Sequence, residues 1–196
     1  MAEVSIESDR VQPAQGEWTY EDYLALPDDG NIYEIIEGVL YVTNAPGYDH
    51  QFITFEIGRQ IGNFVIEKKL GRVLSAPFEV HLSRETRPVQ PDVLFIKTER
   101  LPAPDAKFFE GPPDLIVEVI SPSSVRADQY IKFSAYEQAG VPEYWIANPK
   151  TRSVEVFTLS GGEYALVGLF TEAEVIESKV LAGLRIVTSS LFNPRQ

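Results

Sequence analysis

Apolar residues in the first third of the chain recur at the spacing of a helix. They predict a long amphipathic helix over residues 49–68, with Gly71 as its stop. A short helix is predicted over 19–26, capped by Thr19 and ended by the turn-forming residues 27–30. The apolar positions of the long helix are Phe52, Phe55, Ile57, Ile61, Phe64 and Val65.

Shorter apolar runs predict strands around these helices. Residues 32–37 and 39–43 flank a glycine turn and predict a β-hairpin. Further strands are expected over 72–82 and 91–97, and a proline-rich loop is expected over 101–113.

The second half of the chain has a strand, helix, strand order. Residues 114–120 are a dense run of Leu, Ile and Val, a helix is expected over about 125–139 with Gly140 as its cap, and 143–147 return as a strand. A crossover of this length predicts two parallel strands with a right-handed connection.

These elements predict one α/β domain over residues 18–196. It has a central mixed β-sheet flanked by helices, and the short strands expected over 154–186 form a C-terminal β extension. Residues 1–17 are polar and aperiodic, so we expect a flexible N-terminal segment there.

Length and composition narrow the class of protein. At 196 residues and 22.0 kDa the chain can bury a sizeable core, and without cysteine it has no disulfide partner. The N-terminus has no secretory or basic presequence character, and no apolar run approaches the ~18 residues of a membrane helix. We therefore expect a cytoplasmic protein with no membrane partner.

The chain is strongly acidic, with a formal net charge of −12 and a pI near 4.6. Phosphate affinity comes largely from Lys and Arg, so this balance lowers the expectation of nucleic-acid binding. It does not exclude a DNA substrate, because a carboxylate-lined metal site contributes negative charge that divalent cations offset.

One carboxylate stands inside the most apolar strand. Glu118 lies in the run from Asp114 to Ile120, with Ser121-Pro122 directly after it. An unpaired charge in a buried strand is very costly, so Glu118 needs a cationic partner, a metal or a raised pKa. Two interpretations of Glu118 therefore stand side by side, a functional site and a buried salt bridge.

Asp92 is the second carboxylate of interest, because it follows Pro91 at the entrance of a predicted strand. Carboxylates on neighbouring strands could converge. Oxygen ligands, with no cysteine and only two histidines in the chain, favour Mg²⁺ or Mn²⁺ over zinc. The simpler alternative is that Asp92 only caps a turn.

In the helix that follows, Asp128, Lys132 and Tyr136 recur every four residues and project from one face. That face could look back onto the carboxylates of the sheet. An exposed Asp–Lys pair beside a half-buried tyrosine is the simpler interpretation, because such pairs are common and contribute little.

The order Pro91-Asp92, then Glu118-Val119-Ile120, resembles the split signature of the PD-(D/E)XK restriction-endonuclease-like superfamily, with Ile120 where a lysine is expected. One branch, the Uma-type family, carries its lysine on the following helix, where Lys132 stands here. Endonuclease activity in that family is inferred mostly from its fold. The matching segments are Tyr33 to Gly38, His50, Gln90 to Val93, Asp114 to Ser123, Lys132, Tyr136 and Gly140 to Ile146.

The resemblance implies a restriction-endonuclease-like fold and a Mg²⁺-dependent endonuclease, with Mn²⁺ as a possible substitute and DNA as the substrate. It makes Asp92 and Glu118 metal ligands, with the backbone carbonyl of Val119 as a third oxygen. Lys132 becomes the residue that orients or deprotonates the attacking water.

Four further residues match positions of the family. Glu34 is an additional ligand, a holder of Lys132, or a partner in a hairpin salt bridge. His50 contacts substrate or bonds locally at the start of its helix. Gln90 and Tyr136 are expected behind the ligands or near the substrate.

Two other functions compete with the endonuclease. The acidity of the chain and the lack of a stripe of Lys and Arg residues favour a non-catalytic binding module that keeps the fold. Hydrolysis of a small phosphorylated metabolite also fits the acidity, but there is no phosphate-binding glycine loop. A homodimer is attractive, since duplex cleavage needs two sites and the strand edges of the C-terminal extension invite pairing.

Overall fold

The fold is organised around a central sheet in a computed structural model that describes residues 12–29, 31–43, 46–82, 88–120 and 126–192. Short 3₁₀ turns occur at Thr98–Arg100 and Thr188–Leu191. The helices and strands are α1 (Tyr20–Leu24), β1 (Ile32–Ile36), β2 (Val39–Thr43), α2 (Tyr48–Lys68), β3 (Gly71–Ser75), β4 (Glu79–His81), β5 (Val93–Lys97), β6 (Phe108–Glu110), β7 (Leu115–Val119), α3 (Arg126–Ala139), β8 (Glu143–Asn148), β9 (Ser153–Ser160), β10 (Glu163–Thr171), β11 (Val175–Glu177) and β12 (Arg185–Val187).

The central sheet has six strands in the order β10-β9-β8-β7-β5-β3. Strands β7 and β8 are parallel and are joined through α3, which confirms the predicted crossover pairing. The other neighbours in this sheet are antiparallel. Three two-stranded sheets, β1-β2, β4-β6 and β11-β12, surround it. The predicted central mixed sheet with flanking helices and the predicted hairpin are therefore confirmed.

Each face of the central sheet is covered by one helix, because side chains alternate along its strands. Strand residues such as Val93, Phe95 and Val117 join the apolar face of α2 in one buried cluster. Their neighbours Leu94 and Ile116 point to the opposite face and pack with α3 and the hairpin. The buried residues of α2 in the first cluster are Ile53, Ile57, Ile61 and Val65.

Two expectations about strands are wrong. The segment 72–82 is not one strand, since β3 joins the central sheet and β4 pairs with β6. Pro77 lies between β3 and β4 and has no N–H to continue a ladder. The predicted loop over 101–113 contains β6, a three-residue strand whose partner is distant in sequence.

The end of α2 also differs from its prediction. Lys69 takes the left-handed conformation that caps the helix, with φ of 56°. Gly71 instead begins β3, where a Cβ atom would lie 2.0 Å from the carbonyl oxygen of Ile96. Glycine is therefore required there by close backbone approach, not by helix termination.

The C-terminal strands β9 and β10 are eight and nine residues long and extend the central sheet. They are joined by the predicted glycine turn.

Residues 1–11 lie outside the described part of the chain. The amides of Gly16 and Trp18 donate to the carbonyl oxygen of Gly38, and the flexibility of segment 1–17 stays a prediction. In the described ranges, no helix is long and apolar enough to span a membrane.

A buried carboxylate on β8 holds the segment between β11 and β12 against the sheet. Glu143, on β8, is fully buried. Its Oε1 accepts a hydrogen bond from Trp145 Nε1 at 2.7 Å. Its Oε2 accepts from the amides of Lys179 and Val180 at 2.8 and 2.7 Å and from Ser178 Oγ at 3.1 Å. Charge-assisted hydrogen bonds from four donors thus replace the solvent that burial removes.

We expect Glu143→Gln to lower the free energy of unfolding by about 2–4 kcal/mol, because an amide nitrogen cannot accept the hydrogen bonds that the carboxylate accepts. Urea denaturation followed by circular dichroism measures this. Glu99→Gln, at an exposed position, is the matched control and should leave stability unchanged. Equal stability of the two variants would contradict the role of Glu143.

Candidate active site

The pairing of β5 with β7 brings two carboxylates face to face. Val93 pairs with Val117 in this antiparallel ladder, so one further step along both strands sets Asp92 opposite Glu118. At this position a side chain continues the contact between the two strands, because the amide of Val119 donates to Asp92 Oδ2 at 2.7 Å. The two acidic residues thus converge because of strand register, as expected for carboxylates on neighbouring strands.

Glu118 points from β7 toward α3 and meets two side chains of that helix. Its Oε1 accepts from Tyr136 Oη at 2.6 Å and from Lys132 Nζ at 3.2 Å. Tyr136 is fully buried, and the Lys132 side chain is 17% exposed. The four-residue spacing along α3 therefore directs both groups at the sheet. The side chain of Asp128 lies outside the described residues.

The hairpin contributes a third carboxylate, which holds Lys132. Glu34 Oε2, on β1, lies 2.8 Å from Lys132 Nζ, and Glu34 Oε1 accepts the amide of Gln90 at 2.8 Å. Gln90 Nε2 in turn donates to Tyr23 Oη at 3.0 Å. Gln90 therefore lies behind Glu34. Tyr23 belongs to this network without any signal in the sequence, since α1 is short and distant along the chain.

His50 joins the site from the opposite layer. It occupies the first turn of α2, is buried, and its Nε2 lies 3.2 Å from Asp92 Oδ2. Its Nδ1 contacts Thr54 Oγ1 at 3.4 Å. His50 thus touches the candidate ligand Asp92 as well as its own helix.

Three carboxylates around one lysine make the site electrostatically unbalanced. Burial raises the pKa of the Glu118 carboxyl to about 8, and the Lys132 ammonium opposes this rise. The charges of Asp92 and Glu34 add to it. Burial disfavours the charged form of Lys132, but Glu118 and Glu34 outweigh burial and raise the lysine pKa. For His50, burial is likewise outweighed by Asp92, so its pKa is raised.

Comparison with known proteins identifies the family. The profile of the Uma2 family, described as "putative restriction endonuclease", matches residues 20–189. The chain belongs to the Uma2 family. The suspected resemblance is thereby confirmed over most of the chain.

One solved structure with a similar fold is described as a putative nuclease belonging to DUF820 from Anabaena variabilis. It superimposes with a TM-score of 0.75 at 20% identity, over 89% of this chain and 97% of that one. At this identity the likeness establishes the fold and confirms the predicted class. No curated protein matches the chain.

This Uma2 member differs from the general superfamily signature at Ile120, which packs against the apolar cluster beneath α3. The ammonium group reaches Glu118 from Lys132 on the helix instead. The arrangement thus keeps a lysine beside the strand carboxylate, although the lysine comes from another element.

The oxygen atoms present suit a hard divalent cation. Asp92 Oδ1 and Glu118 Oε2 have no hydrogen-bond partner in the described part of the chain, whereas the other oxygen of each carboxylate is held by protein. The described residues contain no group of three or more His, Asp or Glu side chains placed to hold a metal. Mg²⁺ retains several waters and needs only one or two carboxylates, so this pair fits it.

We expect Lys132→Met to lower the free energy of unfolding by about 3 kcal/mol, because Glu34 and Glu118 would remain buried without their cation. Thermal and urea unfolding measure the loss. Lys107→Met, at an exposed position, is the control and should cost little. A Lys132 variant as stable as its control would contradict the proposed burial of these charges.

Proposed function

We propose that this protein is a Mg²⁺-dependent endonuclease that hydrolyses phosphodiester bonds in DNA, with Mn²⁺ able to replace Mg²⁺. The observation that carries this proposal is the opposed pair Asp92 and Glu118 beside Lys132. One oxygen of each carboxylate is held by protein, and the other has no hydrogen-bond partner among the described residues. Membership of the Uma2 family supports nuclease chemistry at this pair.

In this proposal Asp92, Glu118 and the backbone carbonyl of Val119 hold the cation. When bound, the cation would activate water and offset charge on the phosphate. Lys132 supplies a positive charge next to the ligands. Because two carboxylates lie 2.8 and 3.2 Å from its Nζ, its contacts favour orientation and charge neutralisation over proton abstraction.

The other residues of the site position these groups. His50 and the amide of Val119 hold Oδ2 of Asp92, and Oδ1 is left without a hydrogen bond among the described residues. Tyr136 does the same for Glu118 by bonding Oε1. Gln90 fixes Glu34, which steadies Lys132. Such support matters because small displacements of reacting groups greatly slow catalysis.

A non-catalytic binding module is the second candidate, favoured by the net charge of −12. A duplex-binding surface normally presents Lys and Arg to phosphates. In the candidate site the ammonium of Lys132 is already paired with Glu34 and Glu118. Binding of a cation and cleavage of DNA must therefore be measured separately.

We expect wild-type protein to bind Mn²⁺ at one site and Glu118→Gln to lose that binding, because the amide removes the ligand charge. Isothermal titration calorimetry measures both without any knowledge of the substrate. Glu99→Gln, an exposed carboxylate, is the control and should bind as the wild type does. Unchanged Mn²⁺ affinity in Glu118→Gln would contradict the assignment of this ligand.

We expect the wild type to cleave single- or double-stranded DNA with Mg²⁺, and Asp92→Asn, purified identically, to lose at least about 100-fold in rate, since it weakens the electrostatic stabilisation that cations supply. Gel assays with and without a chelator measure this. Glu99→Gln should retain full activity. A wild type that binds Mn²⁺ but cleaves neither form would favour the binding module instead.

A further inference from the structure

Strand β10 forms one edge of the central sheet, and its middle part carries no charged side chain or proline that would block pairing with another strand. The eight residues between Glu163 and Glu172 carry no charge and no proline. Three of their apolar side chains are exposed, with Leu166 at 55%, Val167 at 39% and Leu169 at 54%. Natural sheets normally place lysine, proline or inward-pointing charges on such edges, because an open edge pairs with other strands.

The hydrogen-bonding groups of this edge are capped only at its ends. The amide of Tyr164 donates to Glu137 Oε1 at 2.6 Å, and the amide of Thr171 donates to Glu174 Oε2 at 2.7 Å. Alternate residues of a strand face the same neighbour, so Leu166 and Leu169 face outward as well. A bulge between Leu166 and Gly168 accounts for their three-residue spacing. On β9 the amide of Leu159 donates to Pro142 on the β8 side, so Phe157 and Glu155 also face β8 and their partners Leu166 and Leu169 face away from β9. In the described part of the chain, no hydrogen bond from outside the ladder reaches these two amides.

We propose that this edge pairs antiparallel with the same edge of a second copy of the chain. A two-fold axis between Val167 and Gly168 sets Leu166 opposite Leu169 of the partner subunit, and the reverse. The outward-facing backbone groups of Leu166 and Leu169 are then both paired with the second copy. Because the bulge sets the outward-facing residues three apart, a regular strand, in which they are two apart, does not match both, whereas a second copy of this chain carries the same bulge.

The side chains agree with the same arrangement. Leu166 pairs with Phe157 and Leu169 with Glu155, two residues apart on β9, so both leucines lie on one face of the sheet. The two-fold axis therefore gathers four leucines, two from each copy. Their burial, with the backbone pairing, opposes the repulsion between two chains that each carry a charge of −12.

The proposed interface lies a fixed number of strands away from the candidate site. Glu118 pairs with Ile146, Ile146 with Glu155, and Glu155 with Leu169. Three strand spacings of the central sheet, about 14 Å, separate Glu118 from Leu169. The dimer would join two candidate sites through one continuous sheet, and this inference does not depend on nuclease activity.

Light scattering coupled to size exclusion tests the dimer. We expect a mass of twice the 22.0 kDa of the chain for the wild type, and a shift to the monomer mass for Leu169→Lys. Ile66→Lys, which changes the charge equally at a 68% exposed site on α2, should remain dimeric. A monomeric wild type, or equal dissociation of both variants, would overturn the proposal.

Cysteine cross-linking tests the register with the fold intact, because the chain has no cysteine of its own. Leu166→Cys and Leu169→Cys are purified separately, mixed to exchange subunits, and oxidised mildly. Opposed residues lie about 5.5 Å apart at Cα, within disulfide range, whereas identical residues of the two copies lie about 10 Å apart or more. We expect a covalent dimer only in the mixture. A dimer of correct mass without this cross-link would also overturn the proposal.

Discussion

The register between β5 and β7 is the constraint on which the candidate site depends. It sets Asp92 opposite Glu118 and directs Glu118 to the face that α3 covers. A slip of one residue would turn Glu118 into the apolar cluster beneath α2 and away from Lys132. The other end of this strand pair is fixed by buried Asp114, which accepts the amide of Lys97 at 3.0 Å and pairs with Arg100 at 3.1 Å. Apolar packing and the ion pairs of one buried aspartate with Lys97 and Arg100 thus position the candidate site.

The second constraint is charge. Glu34 and Glu118 both contact Lys132 in a largely buried space, and Asp92 is near enough for its charge to act on the same lysine. Stability alone would favour fewer carboxylates there. Such arrangements are common at functional sites, where a bound ion or substrate offsets the excess. His50 contacts one oxygen of Asp92, and Tyr136 donates a hydrogen bond to one oxygen of Glu118. Under the proposed function, a bound cation would contact the remaining oxygens and offset part of this negative charge.

Sequence patterns predicted those features that belong to single elements. Periodicity located α2, the crossover helix and the dense strand around Glu118, and four-residue spacing singled out Lys132. The resemblance gave Lys132 its role and added Glu34. Contacts between distant elements carry no such period. The bond from Gln90 to Tyr23, the amide of Val119 on Asp92, and the pairing of β4 with β6 depend on how layers pack. Gly71 was misassigned because helix stops and close backbone approaches require the same residue type.

Anomalous diffraction from crystals of the protein grown with Mn²⁺ would locate a cation bound at the candidate site. We expect an anomalous peak between Asp92 Oδ1 and Glu118 Oε2, with Oδ2 of Asp92 still bonded to the amide of Val119. Crystals in which Mn²⁺ occupies other positions, while the space between these two carboxylates holds none, would contradict the proposed metal site.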